Sequence, residues 1–403
     1  MTFAPAEEQL KQIERGAVSV FPRDEMIRKL ERSRKENRPL RVKLGIDPTR
    51  PDLHLGHMVP IRKLRHFQEL GHHVVLIIGD YTALVGDPSG QDKTRPQLTH
   101  DQVMENAGTY LDQVGKTIAL GKAEIVRNGD WFAKMTFDDV LKLASRMTVA
   151  RLLERDDFSR RYKEGVPISV HEFLYPLMQG YDSVVVRSDV EIGGTDQTFN
   201  LMVGRDFQRD DGQEPQVAIT LPILVGLDGA RKMSKSYDNY IGISEAPEQM
   251  YGKCMSLPDA LIRSYFELAT SVSMQEISAI LSKDEPMRAK LRLASEIVAL
   301  YHGREGATRA AEHFDRTVRK KEMPEEIPEV RVTPDLLKDG KVWVVKLIRH
   351  CGFAATNGEA RRLVSQGGVT LDGAAITDAD ADLSIKDGQI IRAGKRNFAK
   401  IRV

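Results

Sequence analysis

Short β-prone runs alternate with helical patterns over the first 225 residues, and this alternation restricts the fold more than any other feature of the sequence. The β-prone runs are residues 41–46, 73–79, 123–127, 183–187 and 216–221. Helical spacing separates them, for example from Gly56 to Leu70 and from Thr99, where Gln102 completes a capping box. Strands that alternate with helices favour a parallel sheet covered by helices. We therefore predict an α/β domain over residues 1–225.

The rest of the chain changes character twice. Residues 247–314 read as helical throughout, whereas residues 369–371 and 389–392 read as short strands. Prolines and acidic residues between these regions indicate a linker. We predict a helical domain over 226–322, a linker over 323–340 and a small α+β domain over 341–403.

Composition argues against several classes of protein. Of the 403 residues, 41% are apolar, which suffices for a buried core in each domain. The two cysteines, Cys254 and Cys351, are far apart, so we expect no disulfide framework, no structural zinc site and a reducing, cytoplasmic setting. The longest apolar run, Val74 to Ile78, is far shorter than the ~18 residues of a membrane span, so no membrane partner is expected.

The charge of the chain is unevenly distributed. From Lys341 onward, eleven Lys and Arg outnumber six Asp and Glu, which gives this tail a net charge of +5 and leaves −4 for the rest. A basic tail is typical of a module that binds a polyanion such as a nucleic acid. A solvated basic face would have the same composition, so charge alone leaves both interpretations open.

One motif lies where the first predicted strand ends and its helix begins. Residues 45–57 read GIDPTRPDLHLGH. Ligands bind at this position in open α/β sheets, and the free amides of a helix N-terminus favour phosphate. His54 and His57 would present N–H donors from one helix face, and Gly56 would allow a ligand to approach the backbone closely. So short a pattern also recurs by chance, and the histidines could merely cap the helix.

A second motif, KMSKS, occupies residues 232–236 after a turn at 227–230. Its two lysines, Lys232 and Lys235, could neutralise the charge that develops on a leaving pyrophosphate. Alone, this segment could be a solvated loop. The presence of both motifs in this order favours a site for nucleotide phosphates.

The two motifs resemble the HIGH and KMSKS elements of the class I aminoacyl-tRNA synthetases. Three further segments are similar to signatures of the bacterial tyrosyl-tRNA synthetases: GDPSG at 86–90, YPLMQGYD at 175–182 and EIGGTDQ at 191–197. The resemblance implies a Rossmann-like catalytic domain and a homodimer. It also implies an ATP-dependent, AMP-forming ligase that joins L-tyrosine to tRNA(Tyr).

The resemblance also implies roles for individual residues. It places catalytic groups at Thr49, His54, His57, Lys232 and Lys235. It places ATP at Asp47, Gly56, Arg95, Gly194, Asp196, Gln197 and Lys235. It places tyrosine at Asp87, Tyr175, Gln179, Asp182 and Gln197, where Asp182 would accept a hydrogen bond from the phenol. The spacing of Tyr175, Gln179 and Asp182 independently predicts that they share one face of a helix that opens at a Ser169 to Glu172 capping box.

The sequence departs from the family pattern at two positions. Lys43 stands where the best-known members have a tyrosine, two residues before Gly45. Either another group completes the phenol site, or this chain belongs to a subgroup with different chemistry on its first strand. Gln91 stands where many relatives have a lysine after the Pro-Ser-Gly run, and Lys93 is a candidate substitute.

The basic tail resembles an S-four-type RNA-binding module. Residues 360–373 read ARRLVSQGGVTLDG, a helix with paired arginines followed by a Gly-Gly turn and a strand. The resemblance implies that Arg361 and Arg362, with Lys395 and Arg396, contact RNA phosphates. A purely structural lid is the alternative.

Together these features predict a two-step reaction in which tyrosine attacks the α-phosphate of ATP and tRNA then takes the tyrosine from the adenylate. Mg²⁺ would arrive with ATP, because no carboxylate cluster dedicated to a metal is evident. Three alternatives stay open: a tryptophanyl-tRNA synthetase, a small-molecule adenylyl or cytidylyl transferase, and an RNA-binding protein that has lost catalysis. The apolar stretch around Trp131 to Leu153 could supply a dimer interface or could be core.

Overall fold

The computed structural model describes residues 3–88, 99–319, 327–333, 336–337, 340–394 and 397–403. The chain divides into two compact units, Met1–Ala307 and Thr308–Val403. The finer division into four domains stays a prediction. Within the described ranges, no helix is both long enough and apolar enough to cross a membrane.

A six-stranded sheet forms the centre of the first unit. Its strands are β1 (Ser19–Phe21), β2 (Arg41–Ile46), β3 (His73–Ile78), β4 (Ala123–Arg127), β5 (Val190–Gly194) and β6 (Val217–Leu221). They are arranged in the order β1-β6-β5-β2-β3-β4, and only the edge strand β1 runs antiparallel to its neighbour. Strands β3 and β6 are almost entirely buried, as expected for a parallel sheet covered on both faces. The predicted α/β fold class is confirmed.

The strand order creates a crevice beside β2. From β2 the chain moves to β3 and β4 on one side, and it later returns to place β5 and β6 on the other side. The connections on the two sides therefore diverge at the carboxyl ends of β2 and β5. In open α/β sheets, ligands bind at such a switch point.

Helices cover the sheet and form the remainder of the first unit, and the last seven residues of the final helix belong to the second unit. They are α1 (Ala6–Glu14), α2 (Arg23–Glu36), α3 (Leu55–Glu69), α4 (Thr82–Val85), α5 (His100–Val114), α6 (Gly129–Phe132), α7 (Phe137–Ser145), α8 (Val149–Leu152), α9 (Asp156–Glu164), α10 (Leu174–Val185), α11 (Thr198–Asp210), α12 (Pro247–Met255), α13 (Ile262–Ala269), α14 (Met274–Leu281) and α15 (Pro286–Phe314). Helix α15 is interrupted at Gly303, whose φ is 75°. The helical character predicted for 247–314 is confirmed.

The strand predicted at Ser183–Arg187 is wrong. Residues 174–185 form helix α10, and the strand comes later, as β5. Tertiary packing overrides the β-propensity of the valines at this helix end. Helix α10 packs closely on α11, because Gly180 has no side chain; a Cβ there would lie 2.7 Å from Cγ1 of Val203.

The second unit is a small α+β arrangement. It contains β7 (Glu329–Arg331), β8 (Val342–Trp343), α16 (Val344–His350), α17 (Asn357–Ser365), β9 (Val369–Leu371), β10 (Ala374–Ile376), β11 (Asp382–Leu383), β12 (Ile390–Ala393) and β13 (Asn397–Arg402). Five of these strands form a sheet in the order β10-β9-β12-β13-β7. Strand β7 lies inside the stretch predicted as linker, because Val330 packs against the core of this unit while β7 pairs with β13.

Candidate active site

A cavity of 390 Å³ opens at the carboxyl ends of β2 and β5. Its walls include thirteen residues predicted to form the site: Asp47, Thr49, His54, Gly56, His57, Asp87, Tyr175, Gln179, Asp182, Gly194, Asp196, Gln197 and Lys232. These residues come from loops, strand ends and helices separated by up to 185 positions in the chain. The fold therefore gathers the predicted phosphate and amino-acid residues around one space.

The two histidines of the first motif stack at the start of α3. Their ring centroids are 3.7 Å apart, and Nδ1 of His57 accepts the backbone N–H of His54 at 3.2 Å. A neutral His57 must then carry its proton on Nε2, where it can donate. Burial, followed by the positive charges of His57, Lys235 and Arg50, lowers the pKa of His54 to about 2, so His54 is neutral at physiological pH.

Two features of the loop suit a phosphate ligand. Nδ1 of His54 is buried and has no hydrogen-bond partner in the part of the chain that the structure describes. Gly56 faces this ring, and a Cβ at that position would lie 3.0 Å from its Nδ1 and Cε1 atoms. The backbone at the N-terminus of α3 therefore has room beside a neutral imidazole, in a place where helix amides favour anions.

Backbone pairing holds the second motif next to the first. The amide of Leu55 donates to the carbonyl of Ile241 at 3.0 Å, and the amide of Ile243 donates to the carbonyl of Leu53 at 3.2 Å. These bonds join the segment after the KMSKS residues to the segment that contains His54. The histidine and lysine loops, nearly 180 residues apart in sequence, consequently lie side by side.

The two lysines of the KMSKS segment have different positions. Lys232 lines the cavity, whereas the ammonium of Lys235 lies outside the wall and pairs with the Asp52 carboxylate at 2.8 Å. The loop is shaped by Asn239, whose Oδ1 accepts the Ser234 amide at 2.8 Å and whose Nδ2 donates to the Lys232 carbonyl at 3.1 Å. Lys232 thus borders the cavity, and Lys235 is held outside its wall by Asp52.

Helix α10 supplies one polar wall of the cavity. The hydroxyl of Tyr175 donates to Oδ2 of Asp47 at 2.8 Å. Burial, followed by the negative charges of Asp47 and Asp87, raises the pKa of Tyr175 well above its usual value, which keeps the hydroxyl protonated as a donor. Thr82 donates to the other Asp47 oxygen at 2.8 Å, so this carboxylate is fixed from two sides.

Asp182 lies deeper on the same helix, where it is almost fully buried. Its carboxylate accepts hydrogen bonds from Nε1 of Trp131 at 3.0 Å and from Nδ2 of Asn128 at 3.4 Å. Burial raises its pKa to about 7, and the positive charge of Lys43 and the two hydrogen bonds oppose that rise. A carboxylate in such a position can accept a further hydrogen bond from a ligand hydroxyl or N–H group.

A network of polar side chains surrounds Asp87. Its carboxylate accepts from Nε2 of Gln197 at 2.7 Å and from the Arg155 guanidinium at 3.3 Å. The Nδ2 group of Asn200 donates to Oε1 of both Gln179 and Gln197 at 2.9 Å. This network places an anion next to several carbonyl-type acceptors, which is the arrangement that a substrate ammonium needs.

The end of β5 forms the opposite wall. A Cβ at Gly194 would displace the Asp196 carboxylate, because it would collide with Oδ1 of that residue. Burial, followed by the charge of Asp87, raises the pKa of Asp196 above its usual value. The strand end thus offers close access to the backbone beside a carboxylate, as the resemblance implies for the nucleotide.

Some groups around the cavity were not predicted from the sequence. Asn128 directly follows β4 as Asp47 follows β2, so its place at the carboxyl end of a parallel strand is a signal that could have identified it. Arg155 precedes α9 and Trp131 lies on α6; no spacing or motif connects either residue to the cavity. Lys43 is buried outside the cavity wall, and its ammonium pairs with Glu191 at 3.0 Å.

Several predicted residues lie elsewhere. Gln91, Lys93 and Arg95 fall outside the described residues, as do Lys395 and Arg396. Arg361 and Arg362 are exposed on α17 of the second unit, where the Arg361 guanidinium pairs with Asp380 and lies 5.3 Å from the centre of the Trp343 ring. Among the described residues, no three His, Cys, Asp or Glu side chains are close enough together to hold a metal ion.

Comparisons with known proteins agree with this geometry. The family model described as class I tRNA synthetases (W and Y) matches residues 35–319. The chain is 50% identical to a tyrosine–tRNA ligase of Moorella thermoacetica over 398 residues, which are 98% of this chain and 95% of that protein. It is also 50% identical to a tyrosine–tRNA ligase of Thermotoga maritima, over 98% of this chain and 97% of that protein.

Solved structures show a similar fold. A truncated mitochondrial tyrosyl-tRNA synthetase of Aspergillus nidulans superposes with a TM-score of 0.62 at 25% identity, over 76% of this chain and 92% of that chain. A tyrosyl-tRNA synthetase of Archaeoglobus fulgidus, solved with L-tyrosine, gives a TM-score of 0.62 at 24% identity over 76% of this chain and 99% of that chain. At such identity the second match is evidence for the fold alone.

Proposed function

The chain belongs to the class I tRNA synthetases of the tryptophan and tyrosine group, and from this premise we propose that it is a tyrosine–tRNA ligase. It activates L-tyrosine with ATP to tyrosyl-adenylate and pyrophosphate, and it then transfers tyrosine to the 3′ end of tRNA(Tyr). The observation that carries this proposal is the cavity itself, in which the stacked histidines and Lys232 share one space with the buried Asp182. The high identity to tyrosine–tRNA ligases supports the same conclusion.

Tyrosine binds in the part of the cavity beside α10. Its phenol donates to Asp182, which Trp131 and Asn128 hold in place. Its ammonium lies near Asp87, the Tyr175 hydroxyl and Gln179, all of which line the same space. Phenylalanine is disfavoured because it would leave the buried Asp182 carboxylate without its third hydrogen bond.

ATP occupies the part of the cavity between the histidine loop and the end of β5. The tyrosine carboxylate attacks the α-phosphorus, the bond to the bridging oxygen breaks, and pyrophosphate leaves with the electron pair. His54, as a neutral imidazole, and His57 donate hydrogen bonds to the phosphates, and Lys232 and Lys235 neutralise the charge on pyrophosphate. Catalysis therefore comes from positioning and electrostatics, and no side chain becomes covalently modified.

Mg²⁺ would enter with ATP, and it would offset part of the negative charge of the phosphates. In the second step, a terminal ribose hydroxyl of tRNA attacks the carbonyl carbon of the adenylate and AMP leaves.

The second unit and the exposed surface of the first suggest the macromolecular partners. The exposed Arg361 and Arg362 on α17 contact tRNA phosphates.

The stretch 131–153 is partly core, yet its Phe137 side chain is 78% exposed, and Leu141 and Val149 of the same stretch are exposed as well. An exposed apolar patch of this kind fits the interface of a homodimer. The cytoplasmic location stays a prediction.

Pyrophosphate exchange into ATP, measured with each of the twenty amino acids, tests the proposal. We expect exchange with L-tyrosine to be far faster than exchange with any other amino acid, and charging of tRNA(Tyr) by the same preparation. Exchange that depends on tryptophan would identify the other activity of the family. Absence of exchange with every amino acid would favour an RNA-binding protein without catalysis. Exchange that depends on a substrate other than an amino acid, without charging of tRNA, would favour a small-molecule nucleotidyl transferase.

A further inference from the structure

Lys43 is a buried cation that the proposed reaction leaves without a role. It is the third residue of β2, is fully buried, and does not belong to the cavity wall. Its ammonium donates to the carbonyl oxygen of Gln179 at 3.0 Å and to the hydroxyl of Ser183 at 2.7 Å. Its third contact is with Oε1 of Glu191 at 3.0 Å. Because an ammonium has three N–H donors, these contacts use all of them and Lys43 has none left for a substrate.

Glu191 is the counterpart of Lys43 on the neighbouring strand. The two residues are paired in register between β2 and β5, and both are at most 1% exposed. Besides the Lys43 contact, Oε1 of Glu191 accepts Nε2 of Gln179 at 3.0 Å. Its Oε2 accepts the Ser183 hydroxyl at 3.0 Å and the Gln216 amide. A buried ion pair is tolerated when its remaining donors and acceptors are satisfied in this way.

The pair determines which end of the Gln179 amide faces Glu191. The nitrogen of a glutamine amide donates hydrogen bonds and the oxygen accepts them. The hydrogen-bond partners therefore determine how the amide is oriented. An ionised carboxylate only accepts hydrogen bonds, so Glu191 must face Nε2 of Gln179. The amide oxygen then lies at the other end, where it accepts Nδ2 of Asn200 at 2.9 Å and keeps a second lone pair. Since Gln179 lines the cavity, its side chain offers an acceptor to a ligand.

We propose that Lys43 and Glu191 are positioning residues that hold the Gln179 amide with its oxygen toward the ammonium of the amino-acid substrate. The inference rests on the proposed function, because it assumes that an α-amino acid is bound there. Lys43 donates to the backbone carbonyl of Gln179 and pairs with the Glu191 carboxylate, which in turn accepts the side-chain N–H group of Gln179. A glutamine at position 191 could both donate and accept, so only the N–H group of Asn200 would still hold the Gln179 oxygen in its place.

Binding of two ligands to the full-length protein separates positioning from general damage. L-Tyrosine carries the ammonium, whereas 3-(4-hydroxyphenyl)propanoate has the same phenol and carboxylate without it. We compare Glu191→Gln and the double variant Lys43→Met/Glu191→Gln, in which neither residue leaves an unpaired buried charge. A hydrogen bond to a charged group predicts that the ratio of the Kd for tyrosine to the Kd for the propanoate rises about 10- to 100-fold. Loss of the Lys43 charge near Asp182 changes both Kd values alike, because both ligands carry the phenol.

Lys29→Met is the matched control. Lys29 is equally buried and pairs with Asp189 and Glu214 at 3.5 and 3.4 Å, but it does not contact Gln179. We expect this variant to unfold at a lower temperature without changing the ratio of the two Kd values. If the Glu191 variants lose affinity for both ligands to a similar extent, or for neither ligand, the positioning role is wrong. Wild-type protein that binds tyrosine no better than the propanoate would instead refute the proposed substrate.

Discussion

Replacing Asp182 by asparagine tests the assignment of the phenol site. In the folded protein this carboxylate already accepts from Trp131 at 3.0 Å and Asn128 at 3.4 Å, and the phenol would be a third donor. Asparagine has one side-chain oxygen and an NH₂ group, so at least one donor loses its partner. A hydrogen bond to a charged acceptor contributes about 1.5–3 kcal/mol, and each 1.4 kcal/mol corresponds to a factor of ten. We expect kcat/KM for tyrosine to fall roughly 10- to 150-fold in pyrophosphate exchange.

The stability of the same variant gives an independent check. The folded-state pKa of Asp182, about 7, lies above the ordinary value of 3.8 because of burial. Its contribution to stability is therefore fully present below about pH 4 and is lost as pH rises through about 7. Asparagine cannot ionise, so at pH 8 the Tm of Asp182→Asn should be within a few degrees of the wild-type Tm or above it. Weak exchange with phenylalanine should be unchanged. The assignment would be refuted if kcat/KM fell equally for tyrosine and phenylalanine, or if the Tm of the variant lay far below the wild-type Tm.

Two further variants address the phosphate side of the cavity. Lys235→Ala removes the cation that pairs with Asp52 at the rim, so exchange should slow while the Kd for tyrosine stays within about twofold; unchanged exchange would contradict the role of this lysine. Gly56→Ala puts a Cβ 3.0 Å from the His54 ring, so it should displace the ring and lower kcat for exchange, whereas Gly108→Ala, where a Cβ meets nothing within 4 Å, should leave kcat unchanged. If both glycine variants lose the same activity, the ring is not the cause.

The sequence predicts the parts of the fold that local pattern controls. Strands β2 and β4 have the predicted bounds, because apolar runs there are bounded by residues that stop a strand. The segment Ser183–Arg187 has the same local pattern, yet it ends a helix, because Ser183 bonds to Lys43 and Glu191 and Gly180 allows close packing of α10 on α11. These contacts are with residues that the local sequence does not contain.

The residues of the candidate site also divide into those that the sequence predicted and those that only the folded chain revealed. Thirteen of the residues that line the cavity were predicted from the motifs and from the resemblance that these motifs carry. The sequence showed Lys43 only as a departure from the family pattern and did not reveal its role. Its partner Glu191 lies 148 residues later and becomes a neighbour only when β5 pairs with β2. Arg155 was missed for a similar reason: its contact with Asp87 depends on how the segment before α9 folds back.

The amino-acid side and the phosphate side of the cavity are held by different contacts, so the effects of variants on the two sides should be independent. The amino-acid wall is held by the pairing of β2 with β5 and by the network around Glu191 and Asp182. The histidine and lysine loops are held instead by backbone bonds between residues 53–55 and 241–243. Because the two sets of contacts share no hydrogen bond among those described, their perturbations should add in free energy when combined. Asp182→Asn combined with Lys235→Ala should therefore lower kcat/KM by the product of the two separate factors, and a much smaller loss would mean that both side chains act on the same step.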